Sequence, residues 1–299
     1  MKSTNDILAR IEEAQERARE RRPVQASTTT DEGQKVVQLP LWPEPVRAVP
    51  NGFLRSALFG VVKKGRRRYI NGEDLASVDG VTIRYKGERL DQNDLDVWLS
   101  VLHAVRLQEL GSRCRVTSYA LLKLMGKTIN GKNRATLQAR IERLVANAVT
   151  VKQGRYTYIG SLIHFAAKDE KTQEWVIELD PRLSVLFGAD QFTQIDWAVR
   201  QTLDRHQLAQ WLHGHYASHA EPFPLKVETL LKLSGSENEN PSSGRQKLRK
   251  ALDAVAKACE AHGQPFNYRI AGDLVHVERQ GSKAQRRHLT KKRARRPAE

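Results

Sequence analysis

KVETLLKLSGSENENPSSGRQKLRKALDAVAKACEAHGQPFNYRIAGDLVHVER, residues 226–279, is the stretch whose reading decides the fold. It opens on a short apolar helical pattern at 226–233. A Ser-, Asn- and Gly-rich loop follows, the composition of a turn rather than a helix. Residues 242–262 then repeat apolar side chains at three- and four-residue spacing, as one face of an amphipathic helix requires. Residues 266–279 alternate around Gly272-Asp273, the signal of a hairpin. The same order occurs upstream: SYALLKLM (118–125), GKNRATLQARIERLVANAV (131–149), and strands from Thr150 onward. Helix, turn, long basic helix and hairpin outline a winged helix. Two copies predict an α+β chain of two tandem winged-helix domains, with a flexible N-terminal segment and a basic C-terminal tail. The expected boundaries are 1–50 for the N-terminal region, 51–188 and 189–280 for the domains, and 281–299 for the tail.

Helical geometry of about 100° per residue separates the faces of the two long helices. In the first, Leu137, Ile141, Leu144, Val145 and Ala148 share the side that should pack on a core. Lys132, Ala135, Thr136, Ala139 and Arg143 face away from it, and Arg134 and Arg140 flank the apolar stripe. Small residues let a helix approach a groove floor, while Lys and Arg reach bases or phosphates. In the second helix, Leu248, Leu252, Val255 and Cys259 form the inner stripe, and Ser243, Gln246, Lys247 and Lys250 face outward near its N-terminus. That end is the one that meets base edges in helix–turn–helix proteins. Gln pairs bidentately with adenine and Lys with guanine. Arg155 and Arg269, on the two hairpins, are the expected contacts to backbone or minor groove.

Composition agrees with an anionic partner. The chain has 299 residues, enough for two ordinary domains, and its 50 Lys+Arg against 34 Asp+Glu leave a net charge of +16. No apolar run approaches the ~18 residues of a membrane span, and the N-terminus lacks the apolar centre of a secretory signal. The two cysteines, Cys114 and Cys259, suggest neither a disulfide framework nor a zinc site. Residues 1–22 read as a charged, solvated helix and 23–35 as a linker. Pro40, Pro43, Pro45 and Pro50 exclude regular helix after it. SALFGVV (56–62) reads as a strand, VTIRYKGERL (81–90) as a hairpin, and 91–107 as a helix. VTVKQGRYTYIGSLIHFAA and EWVIELD read together as an elaborated wing. Residues 281–299 carry eight Lys/Arg against one Glu and read as disordered.

Several colinear segments resemble the TrfA-type plasmid replication initiators. SHAEPFPLKVETLLKLSGS (218–236) is the most specific; RSALF (55–59), TINGKNRATLQARIERL (128–144), GADQFTQIDW (188–197) and GDLVHVER (272–279) match in order. The resemblance spans about residues 36–279 and leaves out both ends. It implies a protein that binds direct repeats, or iterons, at a plasmid origin in the bacterial cytoplasm. It also implies opening of an adjacent A+T-rich segment, with contact to single-stranded origin DNA, and recruitment of the host's replicative helicase, initiator and polymerase. A monomer–dimer equilibrium restraining copy number belongs to the same implication. Gln38-Leu39-Pro40-Leu41-Trp42 resembles the QLxLF peptide that docks on the bacterial sliding clamp, with Gln38 at the pocket edge and Leu39, Leu41 and Trp42 on the apolar side. The alternative for this island is an N-terminal strap packed on the first domain. For the chain as a whole, the alternative is a winged-helix transcription regulator without initiator activity.

Enzymatic patterns fail on geometry. His213-Gly214-His215-Tyr216 has the letters of a nicking site, but its histidines lie on a helical pattern about 200° apart and cannot readily share a metal. Gly126-Lys127-Thr128 lacks the upstream glycine of a phosphate loop, because position 121 is Leu. Asp91, Asp94 and Asp96 open a helix, where carboxylates favour the dipole. The chain is expected to use no cofactor or metal and to catalyse no reaction.

Overall fold

The computed structural model describes residues 38–290 except 64, 66, 79, 189, 238, 239, 283, 284 and 288. The helix expected at 1–22 and the linker at 23–35 lie outside the described residues. In chain order the elements are β1 (Val46–Pro50), α1 (Asn51–Leu54), β2 (Phe59–Gly60), β3 (Tyr69–Leu75), β4 (Val81–Glu88), β5 (Leu90–Asp91), α2 (Gln92–Val105), β6 (Cys114–Thr117), α3 (Ser118–Leu124), α4 (Gly131–Val145), β7 (Ala148–Gln153) and β8 (Tyr156–Gly160). They continue with β9 (Phe165–Asp169), β10 (Glu174–Glu178), a 3-10 turn at Pro181–Phe187, β11 (Phe192–Asp196), α5 (Trp197–Thr202), α6 (Gln207–Ala217), β12 (Leu225–Lys226), α7 (Val227–Leu233), α8 (Pro241–Ala261), β13 (Phe266–Ala271) and β14 (Leu274–Arg279). The chain is a mixed α/β protein, and the order of helix pair followed by hairpins is present twice.

Among the described residues, the buried apolar side chains form two cores. The first surrounds α2, which buries Leu95, Val97, Trp98, Leu99, Val101 and Leu102 on nearly every side. Asp91 caps this helix in a reciprocal capping box with Asp94, satisfying amides that its first turn leaves without partners. Trp98 stands in the middle, its indole N–H donating to Leu162 O at 2.9 Å and its ring tilted against Phe53. The second core packs α6, α7 and α8 against β14, through Trp211, Leu212, Leu230, Leu248, Leu252, Val255 and Val275.

Strand pairing corrects several boundaries. SALFGVV forms strand only at Phe59–Gly60, which runs parallel to β5. VTIRYKGERL is one strand rather than a hairpin: β4 alternates exposed and buried side chains with Ile83 and Tyr85 inside, and its antiparallel neighbours are β3 and β7. β1 pairs antiparallel with β11, Val46 opposite Asp196 and Pro50 opposite Phe192. Ile195 and Trp197 therefore belong to the first core, together with Leu39. β1 and β11 thus pair across the expected limits of 51 and 188 and share the first core. In the tail, residues 285–287 and 289–290 are helical rather than irregular, and Ser282 Oγ accepts from Gln285 N at the start of this turn.

The QLPLW island is the strap of the alternative reading. Leu39 and Trp42 are buried, whereas Leu41 is 65% exposed. Gln38 makes an antiparallel bridge to Glu109. Trp42 lies parallel to Phe187 with ring centroids 6.4 Å apart, and its indole N–H donates to His103 Nδ1 at 3.1 Å. His103 Nε2 reaches Glu44 Oε2 at 2.8 Å, so the hydrogen-bond network places the proton on Nε2 of a neutral ring. Of the expected anchors Leu41 and Trp42, Trp42 is therefore a core residue in this conformation, as is Leu39, because two large apolar side chains beside α2 gain more from its surface than from water. Removing Trp42 (Trp42→Ala) should destabilise the fold by about 3–5 kcal/mol. Leu41→Ala should change stability by no more than about 0.5 kcal/mol. Equal urea midpoints for the two variants would show that the strap is open in solution.

Three histidines, His103, His213 and His215, are buried and a fourth, His219, is half-buried, all in the neutral form. Burial, with Arg47 and Arg106 nearby, lowers His103 to about 2. Burial, with Arg200 and Arg279 nearby, lowers His213 to about 3. Burial and neighbouring positive groups lower His219 to about 4 and hold His215 well below its ordinary value. Above about pH 6.5 neither folded nor unfolded chain protonates these rings, so they contribute nothing to a pH slope. Below it the unfolded chain takes up protons that the folded chain refuses until its lowered pKa values are reached. Stability should therefore fall on acidification from pH 7 to pH 5, by up to about 1.4 kcal/mol per pH unit for each histidine. Urea unfolding at pH 7.5 and 5.5 measures it, and equal stability at both would contradict four neutral rings.

Candidate nucleic-acid interface

The first helix pair begins with Thr117, whose hydroxyl accepts from Ala120 N to cap α3. The intervening turn passes through Gly126 at φ +66, where a Cβ would stand 2.8 Å from Gln201 Nε2. Asn130 then caps α4 by accepting from Asn133 N at 2.8 Å. Leu137, Ile141 and Leu144 are buried as expected. Lys132, Arg134, Ala135, Thr136 and Ala139 are exposed, which leaves a face of small and basic residues on the N-terminal half of the helix. Thr136 Oγ1 bonds back to Lys132 O at 2.9 Å and presents its methyl group outward with it.

Arg140 and Arg143 are not part of that face. Arg140 Nη1 lies 2.8 Å from both Asp91 Oδ1 and Asp94 Oδ1, and Arg143 lies 2.8 Å from Asp94 and 2.9 Å from Glu88. Arg67 completes the cluster at 2.5 Å from Asp91 and 3.4 Å from Asp94. Burial opposes the charge on Asp91, but Arg140 and Arg67 outweigh it and hold the carboxyl at about 2. Asp94 is pushed upward by deeper burial and by the charge of Asp91, while Arg140, Arg143 and Arg67 oppose that push. The expected places of Arg140, beside the stripe and toward phosphates, and of Arg143, on the outward face, are therefore corrected: both tie α4 to the N-terminal end of α2, because carboxylates buried there demand partners more strongly than solvent attracts the guanidinia.

The second pair repeats the construction. The turn after α7 passes through Gly235 at φ +64, where a Cβ would approach Arg89 Nη2 to 2.6 Å. Pro241 occupies the first position of α8, and the Asn240 side chain accepts from Ser243 N at 3.1 Å. Leu248, Leu252, Val255 and Cys259 are buried. Gln246, Lys247 and Lys250 are exposed, Ser243 is half-buried, and Arg249 adds an exposed cation that the helical projection did not select. Lys247 and Lys250 line a cleft of about 370 Å³ together with residues 61–63 and 205–209. No local signal in the sequence could join those segments.

The hairpins are not equivalent. β14 pairs with β12, the strand before α7, and with β13 across a two-residue turn at Gly272-Asp273; Arg269 is exposed on β13, opposite His276. In the first copy the strand before the helix pair, β6, pairs with β10, and β10 with β9. The counterpart of β13–β14 is thus β9–β10, and Lys168 of β9 reaches Gln138 of α4 at 3.0 Å. Arg155 lies instead on the β7–β8 turn, in the sheet ordered β3-β4-β7-β8. It is exposed, and its guanidinium stacks over Tyr156 at 4.8 Å. Its expected place on the wing beside α4 is corrected: an extra hairpin is inserted between α4 and the strands that flank it, and sequence order alone cannot separate the two.

The enzymatic patterns have structural roles. His215 stacks on Trp211 at 4.7 Å, and His213 is buried beside Arg200 and Arg279. Lys127 Nζ binds Asp204 Oδ1 at 2.5 Å, across to the segment after α5. Among the described residues no helix is long and apolar enough to cross a membrane.

These elements compose a mixed α/β fold also present in the selenomethionine crystal structure of domains 2 and 3 of RctB, with a TM-score of 0.53 at 13% identity, covering 77% of this chain and 98% of that one. At that identity the likeness concerns the fold alone. A crystal structure of the Pi initiator protein in complex with iteron DNA aligns with a TM-score of 0.47 and 13% identity, over 63% of this chain and 91% of that chain. The TrfA protein family matches residues 2–279, and the plasmid replication initiator protein TrfA of Escherichia coli is 30% identical over 249 residues, 80% of this chain and 63% of that protein. The chain belongs to the TrfA family. It matches less than two thirds of the length of that curated relative.

The structural role of the acidic cluster sets an expectation. Asp94→Ala leaves buried guanidinia without their shared carboxylate and should destabilise the protein by about 3–5 kcal/mol in urea unfolding. Lys132→Ala, on the exposed face, should alter stability by about 0.5 kcal/mol or less. An Arg140→Ala protein of wild-type stability would show that Arg140 does not anchor α4.

Proposed function

We propose that this chain is a plasmid replication initiator built from two tandem winged-helix domains, α3–α4 with β9–β10 and α7–α8 with β13–β14, which binds iteron duplexes through α4 and α8. The observation that carries the reading is the exposed face on the N-terminal half of α8. Gln246, Lys247 and Lys250 project from a helix whose opposite face is wholly apolar and buried. Such a helix can enter a major groove without uncovering its core, and its side chains match the donors and acceptors of adenine and guanine. Lys132, Arg134 and Thr136 on α4 form the parallel face of the first domain, Ser243 extends that of the second, and Arg269 faces the backbone from the second hairpin. Arg155, away from the wing strands, is assigned a phosphate contact only. Family membership supports the reading, as does the net charge of +16.

Origin opening, contact with single-stranded origin DNA, recruitment of the host helicase, initiator and sliding clamp, and a monomer–dimer equilibrium that restrains copy number follow from the same reading, in the bacterial cytoplasm. Clamp docking through Gln38, Leu39, Leu41 and Trp42 would require the strap to open, since Leu39 and Trp42 leave water on folding. The reading assigns no bond-making step and no cofactor.

The test is DNase footprinting on the origin of the chain's own replicon. Regularly phased protection over direct repeats is expected, with affinity falling roughly 10³–10⁵-fold between 50 and 200 mM salt if about 6–10 phosphates are neutralised. Lys247→Ala and Lys250→Ala should each weaken iteron binding, and Gln246→Ala should relax base choice at one position by about 1–3 kcal/mol. Protection of a single palindrome would favour a transcription regulator instead.

A further inference from the structure

We propose that the cleft beside α8 is a seat for a DNA backbone phosphate, formed by Lys63 and Arg205 with Lys247 and Lys250. The inference rests on the DNA-binding reading of α8. The cleft, about 370 Å³, lies where residues 61–63, packed on the second core through Val61, meet residues 205–209 at the start of α6 and the first half of α8. Lys63, Arg205, Lys247 and Lys250 line it, against one carboxylate, that of Glu237. The Glu237 carboxylate is already engaged by the Arg89 guanidinium, and Lys63 Nζ is held at the cleft by Glu237 O at 3.2 Å. Asp204, next to Arg205, is bound by Lys127. The cleft is thus a concentration of positive charge whose neighbouring acids are spent on other partners.

Arg205 supplies the second observation. Its backbone sits at φ 68, in the left-handed region that favours glycine, and its side chain is 91% exposed, with Asp204 Oδ2 only at 3.9 Å. A long cationic side chain in a conformation that glycine would occupy more easily is a strained arrangement of the kind found at functional positions. The occupant is a phosphodiester of the duplex held by α8. Lys247 and Lys250, three residues apart, share one face of the helix, and Gln246 adjoins them at the base-reading end. A backbone phosphate flanking the groove is the anion that continuity with that end brings to the cleft. Phosphate contacts position a protein and carry no base information, so the seat would fix the angle at which α8 meets the site it reads.

The test compares Lys63→Ala, Arg205→Gly and Arg205→Lys with Gln246→Ala and Lys247→Ala. Binding is measured by fluorescence anisotropy between 50 and 200 mM salt. The probes are a duplex of the replicon's own origin repeat and a duplex of the same length with shuffled base order. Lys63→Ala and Arg205→Gly should weaken binding several-fold on both duplexes alike, and each should reduce the slope of log affinity against log salt by about one. Arg205→Lys should retain the wild-type slope. Arg205→Gly should keep or raise the thermal midpoint, because glycine relieves the positive φ, so loss of affinity at unchanged stability identifies the head group as the cause. Wild-type affinity and slope in Lys63→Ala and Arg205→Gly, with Gln246→Ala impaired on the repeat duplex, overturn the seat and leave the reading of α8 standing. Wild-type binding by all the variants overturns both. Loss confined to the repeat duplex overturns the phosphate assignment in favour of base contact.

Discussion

The N-terminal end of α2 holds three carboxylates, Asp91 at the cap, Asp94 in the first turn and Asp96 just beyond it, and the rest of the structure is arranged around their need for partners. Asp91 and Asp94 gather Arg67, Arg140 and Arg143, which fixes the basic loop after β2 and the long helix α4. Asp96 binds Arg200 Nε at 2.5 Å, and Arg200 Nη2 reaches Gln92 O and Oε1 at 3.0 Å. Arg200 is 1% exposed and stands at the start of the second core. One helix N-terminus therefore anchors α4 on one side and the second core on the other. The dipole of α2 favours negative charge at this end, which eases the burial of carboxylates that would otherwise be costly. A hydrophobic replacement of the whole cluster could be equally stable; what the ion pairs add is direction, because each guanidinium must point at its oxygen.

Further polar links join the cores. Trp211 Nε1 donates to Ser56 O at 3.0 Å, and Gln264 Nε2 to Asp196 Oδ2 at 2.7 Å. The Arg89 guanidinium meets Gly235 O in the turn that introduces α8. These directional bonds define the angle between the two cores where apolar contact alone would permit sliding, which the proposed binding of one duplex by α4 and α8 requires. The same economy governs the strap, whose Trp42 is held by stacking on Phe187 and by a neutral His103. Packing and protonation state are thereby linked: the imidazole can accept from the indole only while Nδ1 carries no proton.

The proposed contact surface has the complementary character. Lys132, Arg134 and Thr136 on α4, and Gln246, Lys247 and Lys250 on α8, make few internal bonds and stand in solvent. Cations left without internal partners on a strongly positive chain remain available to an external anion. Arginines of similar spacing on the same helix, such as Arg140 and Arg143, are committed inside. What separates the two groups is their distance from the acids of α2, and not their residue type.

The amphipathic period of 131–145 and 241–261 was legible in the chain, since three- and four-residue spacing of Leu, Ile and Val leaves a helix one face to bury. The turn glycines, the caps at Asn130 and Asn240, and the exposed residues at the start of each long helix follow from the same local rules. Tertiary structure decided the remainder. Arg140 lies beside the apolar stripe in any helical projection, and only the approach of α2 converts it from a solvent cation into an ion-pair partner. The pairing of β6 with β10, and so which hairpin flanks α4, depends on strand contacts across more than fifty residues, which no local pattern encodes. The fate of Leu39 and Trp42 depended on whether a surface of matching shape stood nearby. Periodicity is a property of neighbours along the chain and is therefore determined by sequence alone; partner choice for a charge, a strand edge or an apolar anchor is a competition among distant groups, and only the folded chain settles it.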